Sequence, residues 1–325
     1  MSRRSVLVYR DLPRPQLDRI RQEHDVIQAD PRREDQRAAF FEALPRVEGM
    51  IGSSVRLDAA MLDQAPRLRV VSSISVGVDA YPLAALRDRG IVLCHTPGVL
   101  TESVADLLFA MVLATSRRVC EMAAMVREGR WQRNVGADQY GWDVHGKTLG
   151  ILGYGRIGRA LARRAALGFD MPVLYHSRHP VDSGLPDGRA RAAGLDEVLA
   201  SADFIVLVLP LTDQTRGLIG PQAFARMKPG AILINGARGP IVQERALLDA
   251  LDSGRLRAAG LDVFDVEPLP ADSPLRGHPG ILALPHIGSA THETRLAMAD
   301  MAVSNLLRVL RGEAPLAAFP LPAAG

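Results

Sequence analysis

The chain has 325 residues, 47% of them hydrophobic, and a formal net charge of +3, enough for two domains with large cores. Its basic residues are scattered arginines, Lys147 and Lys228 being the only lysines, which argues against a nucleic-acid partner. Two cysteines, Cys94 and Cys120, exclude a disulfide framework. No apolar run reaches the ~20 residues of a membrane span, and Val6–Tyr9 is too short for a signal segment, so a soluble cytoplasmic protein is expected, with no membrane partner.

From Ser5 to Cys94 short apolar strands alternate with helical patterns. Strands are predicted at Val6–Tyr9, Asp25–Gln28, Gly49–Ile51, Arg69–Ser73 and Ile91–Cys94, and helices at Gln16–Glu23, Glu34–Leu44, Asp58–Gln64 and Pro82–Arg89. This alternation predicts a parallel sheet covered on both faces. The glycine-bearing loop Ser75-Val76-Gly77-Val78-Asp79 leaves one strand end and presents backbone N–H groups to an anion. Thr101 reads as an N-cap, and Val104–Met125 is apolar nearly all round, as in a helix buried between layers or against a second subunit; a homodimer is expected. Gly129–Val144, with Trp131, Tyr140 and Trp142, reads as a loop that packs on something.

An apolar run, Leu149–Leu152, then delivers Gly153-Tyr154-Gly155-Arg156-Ile157-Gly158, in G-x-G-x-x-G spacing. Ile157, Leu161 and Ala165 follow as a helical stripe that Gly168 closes. In a dinucleotide site the first glycine makes the tight turn, the second admits the pyrophosphate, and the third lets helix and strand pack closely. The helix N-terminus supplies N–H groups for the anion. The series continues with strands Met171–Tyr175, Phe204–Leu209, Ala231–Asn235, Ala258–Val263 and Ile281–Leu284. Helices are expected near Leu195–Ala200, Pro221–Met227 and Gln243–Ser253. Ser289 or Thr291 caps a last helix through about Arg311, long enough to return to the first domain, and a Pro/Ala-rich tail follows.

The expected architecture is therefore α/β, with two doubly wound parallel sheets. Residues 1–100 with 292–325 form one domain, flavodoxin-like and substrate-binding, and residues 101–291 form a Rossmann coenzyme domain. Ligands bind beyond the carboxyl ends of such strands. Arg238, Glu267 and His286 all fall there, each shortly after a strand. Arginine binds a carboxylate bidentately and polarises a carbonyl; histidine moves a proton near neutral pH, oriented by a carboxylate. Each also has a plainer role open to it: a solvated loop charge for Glu267, a helix cap for Arg238, a structural ring for His286. His286 and His292 lack the spacing of a metal site.

An NAD site wants an acidic residue at the end of the second strand, for the ribose hydroxyls. Here Tyr175 is followed by His176-Ser177-Arg178-His179, with no carboxylate until Asp182. Ser177 and Arg178 suit a 2′-phosphate instead, so NADP(H) is the expected cofactor, with NAD(H) as the alternative.

The runs Thr96–Glu102, the glycine turn, Ile234–Gly239, Gly260–Phe264 and Pro285–Thr291 together resemble the D-isomer-specific 2-hydroxyacid dehydrogenases over essentially the whole chain. Asp143–Thr148 and Ile287–Arg295 look most like bacterial glyoxylate/hydroxypyruvate and 2-ketogluconate reductases. The resemblance implies reduction of a short 2-keto acid to its D-2-hydroxy acid. It assigns Arg238 to the substrate carboxylate and carbonyl, His286 to acid/base catalysis, Glu267 to pairing with His286, and the Val76-Gly77 backbone to the substrate carboxylate. It places Asp262 beside the nicotinamide carboxamide, and it extends the cofactor set to Thr101, Tyr154, Arg156, Ile157, Pro210, Thr215 and Ala237. The sequence departs from the family at Asp79-Ala80-Tyr81-Pro82, where relatives have Asp-Asn followed by an apolar residue and Asp. Rival readings are an NAD-linked D-lactate or 3-phosphoglycerate type of enzyme, and a dinucleotide-sensing binding protein.

Overall fold

The structure, a computed structural model, describes residues 3–322 except 180 and 187; Met1, Ser2 and the end of the Pro/Ala-rich tail lie outside the described residues. The chain divides into two compact units, one of residues 1–100 with 290–325 and the other of residues 101–289.

Unit 1 alternates β1 (Ser5–Val8), α1 (Arg14–Glu23), β2 (Asp25–Gln28), α2 (Glu34–Ala43), β3 (Gly49–Gly52), α3 (Ala59–Asp63), β4 (Val70–Ser73), α4 (Leu83–Asp88) and β5 (Val92–Cys94). The strands form one parallel sheet in the order β2-β1-β3-β4-β5. β3 and β4 are buried throughout, as expected of a sheet covered on both faces. Tyr9, just past β1, is fully buried, and a Cβ at Gly52 would overlap its ring. Its hydroxyl meets that of Tyr81 at 3.1 Å, which gives the departing Tyr81 a buried polar partner.

In unit 2, α5 (Thr101–Ser116) and α6 (Val119–Arg127) precede β6 (Leu149–Leu152), α7 (Arg156–Gly168), β7 (Val173–His176), β8 (Ala190–Ala192), α8 (Leu195–Ser201), β9 (Phe204–Leu207), α9 (Pro221–Arg226), β10 (Ala231–Asn235), α10 (Glu244–Asp252), β11 (Leu256–Leu261) and β12 (Ile281–Ala283). The parallel order is β12-β11-β10-β9-β6-β7-β8, a Rossmann arrangement that reverses direction between β6 and β9. The last helix, α11 (His292–Arg311), belongs to unit 1. Thr291 caps it by accepting the Thr294 N–H, and Gly312 ends it at φ 85°, as a left-handed C-cap does. Ser72 of β4 donates to its Ala302 carbonyl at 2.7 Å.

Two expectations need correction. The apolar run Val104–Met125 is not one helix: Arg118, at φ 54°, breaks it between α5 and α6. Thr101 is the first helical residue of α5 and not its cap. β8 and the exact ends of β11 and β12 also went unpredicted, so Glu267 and His286 stand a little farther past their strands. Among the described residues no helix is long and apolar enough to cross a membrane.

Candidate active site

The glycine turn has backbone geometry that suits the three tasks its spacing implies. Gly153 has φ 101°, and a Cβ there would lie 2.7 Å from Leu209 N. This residue must therefore be glycine both for its backbone and for the close approach of the segment leaving β9. A Cβ at Gly158 would collide with the Gly153 carbonyl oxygen, so α7 packs against the turn only without one. At Gly155, by contrast, an added Cβ meets nothing within 4 Å; the space in front of the α7 N-terminus is open. Such a cradle, rimmed by free N–H groups, fits a pyrophosphate. Tyr154 points the other way: it is buried, stacked on Tyr175 with centroids 3.7 Å apart, and it donates to Ser183 O. Arg156 is exposed and Ile157 half-buried at the start of α7.

The register sets Leu152 beside His176, and Gly153 N donates to His176 O at 3.0 Å. Ser177 and the exposed Arg178 thus follow directly beside the turn. Past β9, the Thr215 hydroxyl donates to Pro210 O at 2.7 Å and accepts the Thr212 N–H at 2.8 Å, closing that loop on itself. In unit 1 the Val76-Gly77 loop follows β4, with His95 Nδ1 3.2 Å from Val76 O.

Three turns past β10, β11 and β12 carry the polar residues. Asn235, at the end of β10, is 1% exposed. Its Oδ1 accepts the Ala237 N–H at 3.1 Å and its Nδ2 donates to the Arg238 carbonyl at 3.1 Å. One amide thereby fixes the turn Gly236-Ala237-Arg238 and the point from which the Arg238 side chain departs. Arg238 Nη1 donates to Ala237 O at 2.7 Å, and the side chain caps no helix.

Asp262, past β11, is 3% exposed. It accepts Ile287 N–H at 2.7 Å on one oxygen and Gly288 N–H at 2.8 Å on the other. Its own N–H donates to Asn235 O, and Ser103 of α5 donates to Gly288 O at 2.8 Å. Burial pushes this carboxyl above the ordinary aspartate value, against the two N–H bonds. The loop it holds carries His286 at φ 54°, a left-handed setting that costs a non-glycine residue of order 1 kcal/mol and therefore needs such support.

His286 Nδ1 and Glu267 Oε2 are 2.7 Å apart. The other oxygen of Glu267 accepts Phe264 N–H at 3.0 Å. Burial raises the Glu267 carboxyl, but the bonds from His286 and Phe264 and the charges of His286 and Arg238 outweigh it and hold it below the ordinary value. An ionised Glu267 takes a hydrogen bond from Nδ1–H and leaves Nε2 for other partners. Arg238 and His286 thus both act electrostatically on Glu267. What the sequence alone did not single out is Asn235, and the part Asp262 plays in holding the histidine turn. Polar residues at the ends of otherwise apolar strands were the available signal. Among the described residues no group of histidine, cysteine and carboxylate side chains is arranged to hold a metal.

Comparison with known proteins shows the family. The family model for the D-isomer-specific 2-hydroxyacid dehydrogenase NAD-binding domain matches residues 109–288. Glyoxylate/hydroxypyruvate reductase B of Yersinia enterocolitica is 50% identical over 308 residues, 95% of this chain and 94% of its own. A solved structure from Thermus thermophilus is 44% identical, with a TM-score of 0.88 over 97% of this chain and 100% of its own. An NADPH-dependent glyoxylate/hydroxypyruvate reductase from Sinorhizobium meliloti, solved with NADP and malonate, is 30% identical, with a TM-score of 0.88 over 100% of both chains. With a dinucleotide cradle at β6 and an arginine, a carboxylate and a histidine past β10 to β12, this chain is an oxidoreductase belonging to the D-isomer-specific 2-hydroxyacid dehydrogenase family.

Proposed function

We propose that the protein reduces short 2-keto acids, namely glyoxylate, hydroxypyruvate and 2-keto-D-gluconate, to D-2-hydroxy acids, with NADPH preferred to NADH. The observation that carries the reading is the 2.7 Å pairing of His286 with Glu267 in the same unit as the glycine cradle. The names of the curated relatives support the two smaller substrates.

When bound, the nicotinamide supplies a hydride to the carbonyl carbon of the keto acid. Arg238 holds the substrate carboxylate and polarises its carbonyl. In unit 1, the substrate-binding domain of this reading, the Val76-Gly77 backbone N–H groups serve the carboxylate too. His286, protonated and oriented through Nδ1 by Glu267, gives the Nε2 proton to the developing alkoxide oxygen. Thr101, Arg156, Ile157, Pro210, Thr215, Ala237 and Asp262 complete the cofactor contacts, with Tyr154 contributing through its backbone alone and Asp262 toward the carboxamide.

Ser177 and Arg178 support the 2′-phosphate. Asp182 is the first carboxylate in the chain after β7, and it accepts the Gly184 N–H at 3.1 Å. A steady-state panel of 2-keto acids with both reduced cofactors tests the reading. Higher kcat/KM with NADPH on glyoxylate or hydroxypyruvate is expected. A preference for NADH overturns the cofactor assignment, and favours an NAD-linked D-lactate or 3-phosphoglycerate type of enzyme if pyruvate or phosphohydroxypyruvate is the best substrate. Dinucleotide binding without turnover favours a sensor.

The working protein is a homodimer in this reading. Val119, Val126, Trp131, Val135, Tyr140 and Trp142, all in one stretch of unit 2, are between 41% and 60% exposed, an apolar patch of the kind that marks interaction sites. Three of its arginines are paired within the stretch, Arg118 with Glu121, Arg130 with Glu128 and Arg133 with Asp138, which lowers the charge a two-fold contact would bring face to face. Sedimentation of Trp131→Arg against the parent chain tests it; a monomeric parent chain overturns it.

A further inference from the structure

His95, the residue just past β5, is held more firmly than a strand end requires. Its N–H donates to Ala317 O at 3.2 Å, and its carbonyl accepts from Asn305 Nδ2 at 3.2 Å. Asn305, fully buried in α11, also accepts the Ala317 N–H at 3.1 Å, so one amide ties the C-terminal tail to the end of β5. The tail runs on as an added antiparallel edge: Cys94 and Ala318 form a β-bridge, and Phe319 N donates to Leu93 O at 2.7 Å. The Phe319 ring meets the His95 imidazole edge-on, with centroids 5.3 Å apart. Both the backbone and the ring of His95 are thus held by other parts of unit 1.

This fixes the direction of His95 Nδ1, 3.2 Å from Val76 O. A carbonyl has no proton to give, so Nδ1 carries the hydrogen and donates. Val76 O and Gly77 N–H belong to one planar peptide unit, and the only cis bond among the described residues is Glu267-Pro268. In a trans unit the oxygen and the hydrogen point opposite ways, so a bond on Val76 O aims the Gly77 N–H away from His95. The preceding unit is anchored in the same manner: Thr96 N donates to Ser75 O at 3.0 Å, which directs the Val76 N–H. Among the described residues no backbone carbonyl accepts from Val76 N or Gly77 N. His95 and Thr96 therefore orient two adjacent N–H groups, the first through its side chain and the second through its main chain.

We propose that His95 is a positioning residue for the keto-acid carboxylate, aiming the Gly77 N–H at it through Val76 O. The proposal rests on the reading that the Val76-Gly77 backbone takes that carboxylate. An N–H bond weakens steeply as it leaves its axis, so a loop that can turn this one peptide plane holds the keto acid less well. The carboxylate takes no part in the bond changes, so the loss falls on substrate and transition state alike; it raises KM and spares kcat.

The test uses three substitutions. His95→Phe keeps a ring against Phe319 and removes the donor, His95→Leu removes both, and His95→Asn, with the outline of leucine, returns an N–H donor to the place of Nδ1. His95→Phe and His95→Leu are expected to raise the glyoxylate KM about fivefold or more, with kcat and the NADPH KM within about twofold of the parent chain; either one suffices where the other fails to fold. His95→Asn is expected to bring the glyoxylate KM back to within about twofold of the parent. A parental KM in a folded variant without the donor, a KM in His95→Asn as high as in His95→Leu, or an equal rise in the NADPH KM overturns the proposal. Calorimetric titration of oxalate into the NADPH-loaded protein separates this from a failure of the enzymatic reading. If no keto acid turns over, oxalate binding weakened in His95→Phe and His95→Leu and restored in His95→Asn still supports the assignment. Oxalate bound alike by all four forms, or by none, overturns it.

Discussion

The carboxyl edges of the two sheets are built differently. In unit 2, Asn235, Asp262 and Glu267 each place their polar atoms on the backbone of a turn beside β10, β11 or β12, so Arg238 and His286 leave backbones that are already fixed. In unit 1, the edge presents an arginine and loop amides, where Arg10 Nη1 donates to Ser54 Oγ and His95 Nδ1 lies 3.2 Å from Val76 O. Moving a proton and a hydride demands geometry held to a fraction of an ångström. Recognising an anion demands aimed N–H groups and charge within reach, which loop amides and an arginine supply.

The sharpest way to break that contrast is His286→Ala. It is expected to cut kcat by about 10²–10⁴ while NADPH binding, followed by fluorescence titration, stays within about twofold; little loss of kcat removes His286 from the mechanism. Asn235→Asp comes next. It keeps an acceptor for Ala237 N–H but loses the donor to Arg238 O, at a cost of about 1–3 kcal/mol. That corresponds to a roughly 5–150-fold loss in kcat/KM, read mainly in the keto-acid KM. An equal rise in the NADPH KM indicates general damage instead.

Glu267→Gln has a pH signature. Glu267 is held below its ordinary value of 4.5, so its ionisation favours the folded state above that pH and the benefit is lost as pH falls through the lowered value. In Glu267→Gln this acid-side loss is expected to disappear, so that Tm falls less than in the parent chain as pH drops below about 4.5. An unchanged acid dependence of Tm refutes the pairing. The smallest effects separate two glycines. Gly158→Ala is expected to lower stability by about 1–3 kcal/mol, visible as a lower Tm. Gly155→Ala leaves Tm unchanged and raises the NADPH KM. Equal Tm shifts contradict the open cradle.

Much of this was legible in the sequence, because strands buried on both faces read as apolar runs and turns read as glycine. β10 follows its apolar run residue for residue, and the three glycines behave as their spacing requires. The break at Arg118 and the left-handed His286 were not legible. Both have positive φ without glycine, a conformation imposed by surrounding bonds rather than by the residue's own preference. Asn235 was hidden for a related reason: an amide at a strand end has no periodicity, and its value lies in two backbone atoms that only the folded turn brings to it.

The two tryptophans of the chain also make it self-reporting. Trp131 is 60% and Trp142 41% exposed, and the guanidinium of Arg257 lies 4.1 Å above the Trp142 ring. Neither belongs to the glycine cradle or to the turns past β10 to β12. If two copies pair as proposed, intrinsic emission excited at the indole band would report that pairing, and diluting the protein would shift its colour.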